Sequence, residues 1–258
     1  MSIIKSTLKA VLSQQTISKM RHVKQGAAAK LRLAKQLALI AGSTAIRYHW
    51  VLEYSEIIQG GGKSIAQGKP CDRSGRPIPW MTYSSIEYFS QLDLSRCRVF
   101  EYGSGNGSKY WASRCQKIVS VEHDPEWYKF GSQDLAANRT LLLHLEPADY
   151  VNAIGSDEYD LIIIDGAYRY DCAKRAIGNL SRRGLFVLDN SDWFPAICRL
   201  LLEQGLLQVD FAGPGPLDSY AWCTSLFFSR DFALPRRSNQ ISVLSGLVGI
   251  GEGNAPLI

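Results

Sequence analysis

The chain has 258 residues, 46% of them hydrophobic and 21% charged. That length suits one large domain or at most two, with a core that needs no disulfide or metal staples. The composition excludes a disordered chain, a collagen-like chain and a coiled coil. No apolar run approaches the ~20 residues of a bilayer span. The best candidate, Leu37 to Ile46, is ten residues long and carries Gly42, Ser43 and Thr44. The net charge of +5 is unevenly spread. Residues 1–50 hold nine basic side chains and no Asp or Glu, whereas the other 208 hold 20 basic and 24 acidic ones. A cationic segment on an acidic body is expected to meet lipid, nucleic acid or the body itself. Six cysteines without a CxxC pair read as reduced thiols, and Met1 to Leu12 lacks the apolar stretch of a secretory signal. The thiols point to a cytoplasmic location, and the Arg/Lys-rich, acid-free N-terminus fits either an organelle transit peptide or a native basic helix.

In chain order, residues 1–58 read as helix, with Leu8, Val11, Leu12 and later Leu31, Ala34, Leu37, Ala38 on helical spacing. Residues 60–79 carry five glycines and three prolines and read as a loop or lid, hinged at Gly60–Gly62, rather than as an element. From residue 97 short apolar runs alternate with helical stretches. Strands are expected at Arg98–Tyr102, Ile118–Glu122, Leu141–Leu145, Asp160–Asp165 and Leu185–Leu188. Helices are expected at Ser108–Lys117, Glu126–Ala137, Tyr150–Ile154, Cys172–Leu180 and Trp193–Gln204. The runs Leu161–Ile164 and Leu185–Leu188 are apolar throughout, as parallel strands covered on both faces are. Leu206–Phe211 and Ala221–Phe228 have only a Gly-Pro-Gly-Pro connection and no helix between them, so they are expected to pair antiparallel. The prediction is a doubly wound α/β sheet. The domain bounds are a basic helical extension (1–59), the loop or lid (60–79), the α/β domain (80–232) and a tail (233–258).

The first strand runs into Glu101-Tyr102-Gly103-Ser104-Gly105-Asn106-Gly107-Ser108. Glycines here let the backbone approach a ligand just before a helix N-terminus, where open α/β sheets bind nucleotide-like molecules. Glu122 follows Glu101 by 21 residues and ends the next strand, where a carboxylate suits ribose hydroxyls. The dinucleotide fingerprint GxGxxG fails, because its third glycine falls at Ser108. An acidic residue followed by xGxGxG resembles the first motif of class I S-adenosylmethionine-dependent methyltransferases. The resemblance covers about residues 80–230. It implies a seven-stranded, mostly parallel sheet with an antiparallel last strand, with S-adenosylmethionine as cofactor. It also implies Glu101 near the methionine part of that cofactor, Gly103 and Gly105 beneath it, and Glu122 on the ribose. His123 flanks the adenine in this reading. Asp149 either meets the adenine amine or caps a helix.

Strand four ends in Asp165-Gly166-Ala167-Tyr168-Arg169 and strand five in Asp189-Asn190-Ser191-Asp192. Both ends open on the cofactor side. Asp165, Asp189 and Asn190 resemble the ligands of metal-dependent catechol-type O-methyltransferases, which implies Mg²⁺ or another divalent cation. In the metal-free alternative Asp165 is a general base and Arg169 a cation that orients the substrate. The expected reaction is O-methylation of a small-molecule or glycan hydroxyl, with Asp165, Asp189 and Arg169 in the catalytic set. The alternatives are a nitrogen or carboxylate acceptor, or a non-catalytic adaptor that binds an anionic partner through its basic arm. Trp80, Tyr83 and Tyr168 are candidate walls of the acceptor pocket. The basic arm is expected to close as a lid over the acidic strand ends, or else to touch anionic membrane through residues 1–50. No specific nucleic acid is expected, because the arm has no aromatic residue before Tyr48.

Overall fold

Leu161 to Ile164 and Leu185 to Leu188 have no exposed surface at all, and their side chains divide by parity between two cores. On one face Leu161, Ile163, Leu185 and Val187 pack with Phe89 and Trp111. On the other, Ile162, Ile164, Phe186 and Leu188 pack with Tyr150, Ala173 and Leu201. A computed structural model describes residues 60–133 and 135–237. The basic arm, and with it the expected helix at 1–58, lies outside the described residues, as does the tail beyond residue 237. Among the described residues no helix is long and apolar enough to cross a membrane.

The elements are α1 (Gly61–Gln67), α2 (Tyr83–Gln91), β1 (Arg98–Tyr102), α3 (Asn106–Ala112), β2 (Lys117–Glu122), α4 (Pro125–Gly131), β3 (Arg139–Leu143), α5 (Pro147–Asn152), β4 (Tyr159–Ile164), α6 (Arg169–Ala176), β5 (Leu180–Leu188), α7 (Pro195–Glu203), β6 (Leu207–Gly213) and β7 (Trp222–Phe228). The seven strands form one sheet in the order β3-β2-β1-β4-β5-β7-β6. The first five pair in parallel, and β7 runs antiparallel to both β5 and β6. This is the doubly wound α/β sheet with an antiparallel last strand that the sequence leads one to expect.

Several local expectations change. The segment 60–79 is not all loop, since it holds α1 between two left-handed glycines, Gly60 at φ 83° and Gly68 at φ 65°. Gly60 is no loose hinge either, because it is buried with its Cα against the backbone of Asp72 and Arg73. The helix after the glycine loop starts at Asn106 rather than Ser108 and ends at Ala112, and α4 ends at Gly131, short of the expected Ala137. The third strand lies two residues earlier than expected, at Arg139–Leu143, and its first residue, Arg139, is buried and donates to the Gly131 carbonyl. Leu145, expected inside that strand, is 60% exposed. Helix α2, absent from the sequence reading, fills one face with Tyr83, Ile86 and Phe89. Residues 235–237 run beside its end, with the Asp93 and Arg237 amides donating to the carbonyls of Pro235 and Gln91.

Register positions the site. Tyr102 lies level with Val121 on β2 and Ile164 on β4, and Ile164 lies level with Leu188 on β5. The next residues along the chain are Gly103, Glu122, Asp165 and Asp189, so all four lie at one edge of the sheet. Strand order reverses between β1 and β4, which makes that edge a crevice for a ligand.

Candidate active site

The glycines of the first loop have separate jobs. Gly103 has φ 98°, a region that favours glycine, and a Cβ there would lie 3.1 Å from the Asp165 carbonyl oxygen and the Gly166 backbone. Its missing side chain lets the ends of β1 and β4 touch. Gly105 has an extended backbone, φ 175°, which any residue adopts. A Cβ on it would meet only the Trp127 ring, at 3.9 Å. Glycine at 105 therefore keeps space open rather than permitting a turn.

Glu122 is 4% exposed and lines this space. Its Oε2 accepts from the Ser104 amide at 2.8 Å, and its Oε1 from the amides of His123 and Asp124 at 2.8 and 3.0 Å. The His123 ring nitrogen Nδ1 lies 3.0 Å from the same Oε1. The carboxylate thus fixes both the glycine loop and the end of β2. Glu101 sits deeper. Its Oε2 accepts from the hydroxyls of Ser108 and Ser120 at 2.5 and 2.7 Å, and Ser108 Oγ in turn accepts from the Gly105 amide at 3.1 Å. Burial pushes the Glu101 carboxyl up to about 7, against the pull of those hydroxyls and Arg139.

Arg169 ties together the ends of β4 and β5. Its Nη2 donates to Asp165 Oδ1 at 2.9 Å, its Nη1 to the Asp189 carbonyl at 2.5 Å and to Asn190 Oδ1 at 3.2 Å, and its Nε to the Gly166 carbonyl at 3.0 Å. The guanidinium also lies 5.0 Å from the centre of the Phe194 ring. Asp189 is 3% exposed, and its Oδ1 accepts from Thr224 Oγ1 at 2.5 Å and Trp222 Nε1 at 3.0 Å. Burial and the neighbouring Asp165 raise Asp189 to about 8; burial also raises Asp165, to about 6, while Arg169 pulls it down. Tyr168 and Asn190 both take left-handed conformations, φ 49° and 53°, each starting a helical turn at the rim. Backbone strain of this kind concentrates at functional sites.

The three donors of the expected metal centre already have protein partners. Asp165 and Asn190 are bonded to Arg169, and Asp189 spends Oδ1 on Trp222 and Thr224. A guanidinium occupies the charge position that a divalent cation needs. Among the described residues no group of three His, Cys, Asp or Glu side chains is arranged to hold a metal. Of the metal-free alternative, Asp165 lines the crevice, whereas Arg169 lies outside the lining and is bonded to Asp165, Asn190 and two carbonyls, so it holds the strand ends together rather than facing a substrate.

Asp149 is also displaced from its expected role. It is exposed in the first turn of α5, outside the residues that line the crevice, and the N-cap position belongs to Glu146. The neighbouring Tyr150, fully buried, reaches under the site instead, where a Cβ on Gly166 would lie 2.1 Å from its hydroxyl. Tyr83 is 2% exposed in the core and walls no pocket. Tyr168 lies outside the crevice lining and packs edge-on against His123 and Tyr150.

The crevice measures about 1060 Å³. Trp80 lines it and donates from Nε1 to Asp218 Oδ2 at 2.8 Å. Sequence reasoning missed most of the remaining wall. Trp193 (57% exposed) stacks on Tyr220 (46% exposed) at 6.2 Å, and Tyr220 meets Trp222 at 5.7 Å. Trp127 and Phe130 from α4 also line the crevice and meet edge-on at 5.8 Å. The available signal was Asp218-Ser219-Tyr220-Ala221-Trp222, where the β6–β7 connection places polar and aromatic residues after a Gly-Pro run.

No family model and no curated protein matches the chain. Solved structures align with it at low identity. A precorrin-6y C5,15-methyltransferase from Geobacter metallireducens GS-15 is 16% identical over 58% of this chain and 90% of its own, with a TM-score of 0.47. The N-methyltransferase NodS from Bradyrhizobium japonicum WM9, in complex with S-adenosyl-l-homocysteine, is 13% identical over 68% and 99%, with a TM-score of 0.45. An rRNA methylase from Streptococcus thermophilus is 11% identical over 57% and 95%, with a TM-score of 0.44.

Proposed function

We propose that the chain is an S-adenosylmethionine-dependent methyltransferase that methylates a hydroxyl of a small-molecule or glycan acceptor. The observation that carries this reading is the open face of Gly105. A position with unstrained extended backbone and room for a side chain holds glycine where the crevice must admit a ligand. Glu122, fixed by three backbone amides, borders the same space and suits the cofactor's ribose. His123 and Trp127 offer ring faces for the adenine. These residues fit the cofactor.

S-adenosylmethionine supplies a methyl carbon on a sulfonium, and its displacement leaves a neutral thioether. The chain must align an oxygen behind that carbon and take its proton. Asp165 is suited to the second task. Its raised pKa, near 6, makes it a stronger base than an ordinary carboxylate while it stays ionised at neutral pH. Arg169 donates to Oδ1, so the hydroxyl proton passes to Oδ2. Asp189 keeps its own proton at neutral pH, with a pKa near 8, and so does not add a second negative charge beside the base. Trp193 and Tyr220 present the acceptor wall, whose exposed ring faces suit the C–H faces of sugars and planar rings.

The test is calorimetry of the full chain with S-adenosylhomocysteine, followed by mass spectrometry of a hydroxylated acceptor panel incubated with S-adenosylmethionine. Binding together with transfer of one methyl group to oxygen is expected. Absence of cofactor binding would overturn the reading, and a product methylated on nitrogen would move the acceptor class.

A further inference from the structure

The cofactor has two ends, and Glu101 is the one residue so far expected near its methionine part. The amino-acid end carries an ammonium and a carboxylate, and the carboxylate needs a positive partner or amide donors. Apart from Asp189, which keeps its proton, most ionisable residues lining the crevice are acids: Glu101, Glu122, Glu126, Asp165 and Asp218. They suit the sulfonium and the ammonium but repel the carboxylate. Arg169 is not in the lining, and its nitrogens are already bonded to Asp165, Asn190 and two carbonyls. Among the lining residues one Lys or Arg remains, Lys69.

The segment that carries Lys69 is built to hold still. Ser64 Oγ donates to the Cys71 carbonyl at 2.8 Å and accepts from the Cys71 amide at 2.9 Å, stapling α1 to the strand-like residues after it. Asp72 Oδ1 accepts from the amides of Ser74 and Arg76, closing the turn that follows. The Lys69 amide donates to the Ser64 carbonyl at 3.2 Å. The flap is latched to the glycine loop by Asn106, the first residue of α3. Asn106 is 7% exposed, and its Nδ2 donates to the Pro70 carbonyl at 2.8 Å. Gln67, Gly68, Lys69 and Pro70 thereby wall the crevice beside Gly103 to Gly107.

We propose that the flap of residues 61–79 is the subsite for the amino-acid end of the cofactor, with Lys69 pairing its carboxylate and the Asn106–Pro70 bond tying the flap backbone to the start of α3. This rests on the methyltransferase reading and adds a binding residue from a segment outside the sheet.

The probe is a pair of ligands that differ in that end. S-adenosylhomocysteine carries the amino-acid group, and 5′-methylthioadenosine has the same nucleoside and sulfur without it. Calorimetry on the full chain compares wild type with Lys69→Met and Lys69→Arg. Lys69 is exposed, so neither change disturbs the core. Lys69→Met is expected to weaken S-adenosylhomocysteine about 10-fold, the size of one charge-assisted contact. Methylthioadenosine binding is expected to stay unchanged, and Lys69→Arg to keep most of the S-adenosylhomocysteine affinity. Unchanged S-adenosylhomocysteine affinity in Lys69→Met would overturn the proposal and leave the cofactor reading standing. An equal loss for both ligands would also overturn it, because Lys69 would then be shaping the crevice rather than pairing a charge. If wild type binds neither ligand, the cofactor reading itself fails and takes the proposal with it.

Discussion

Gly103 and Gly105 stand two residues apart in one motif, and the structure predicts opposite outcomes when each gains a side chain. In Gly103→Ala the backbone stays at φ 98°, which costs a non-glycine residue about 1–3 kcal/mol. The new Cβ also lies 3.1 Å from the Asp165 carbonyl oxygen and the Gly166 backbone, which have to give way. The total is about 2–4 kcal/mol of stability, or ~5–15 °C in Tm for a domain of this size. In Gly105→Val the backbone is already extended and the nearest atom to the new Cβ is 3.9 Å away, so Tm should hold within about 2 °C. The valine methyls instead enter the crevice. Overpacking of that kind costs about 1–3 kcal/mol, which is roughly 5- to 150-fold in Kd for S-adenosylhomocysteine. Thermal unfolding and calorimetry on the two variants read both quantities. If Gly105→Val binds as tightly as wild type, or if the two variants lose the same stability, the division of labour argued here is wrong.

Three further outcomes follow from the acidic edge. Asp189 holds a proton in the native state that the unfolded chain loses near its ordinary value of 3.8, so this group makes stability fall as pH climbs from about 4 to about 8. Asp189→Asn keeps the acceptor for Trp222 and Thr224 and is expected to melt higher than wild type at pH 8.5, with the difference shrinking steadily as pH falls toward about 4; an equal Tm difference at pH 8.5 and pH 5 would refute the assignment. The Arg169 guanidinium lowers the Asp165 carboxyl, so Arg169→Met is expected to shift the acidic limb of the kcat profile upward from near pH 6, while wild-type turnover persists in excess chelator. Trp193→Ala is expected to raise the acceptor KM several-fold and leave S-adenosylhomocysteine affinity unchanged, which separates the acceptor wall from the cofactor site.

How much of this was legible in the sequence depends on whether a residue's job is local. Strands β4 and β5 were readable where burial on both faces leaves a run with no polar position, at Leu161–Ile164 and Leu185–Leu188, while the exposed Arg182 and Arg183 hid the first half of β5. The β6–β7 pair was readable because Gly213 to Pro216 leaves no room for a crossover helix. The sheet edge followed, since parallel register brings the residues after each strand together, and Glu122, Asp165 and Asp189 do meet there. What was hidden depends on partners distant in sequence. Arg169 sits one helical turn after Asp165, yet its bonds to the Asp189 carbonyl and the Asn190 amide oxygen span 20 and 21 residues, and those bonds turn an apparent metal triad into a guanidinium clasp. The Trp80–Asp218 bond spans 138 residues. The flap at 60–79 misled for another reason. Its glycines suggest freedom, but Gly60 and Gly68 serve as the two left-handed ends of a short helix, and Gly60 is buried against the Asp72–Arg73 backbone. Glycine is used there for close approach, as at Gly103, whereas at Gly105 it serves for emptiness. One letter covers both uses, and only the dihedral angle and the space around the missing Cβ tell them apart.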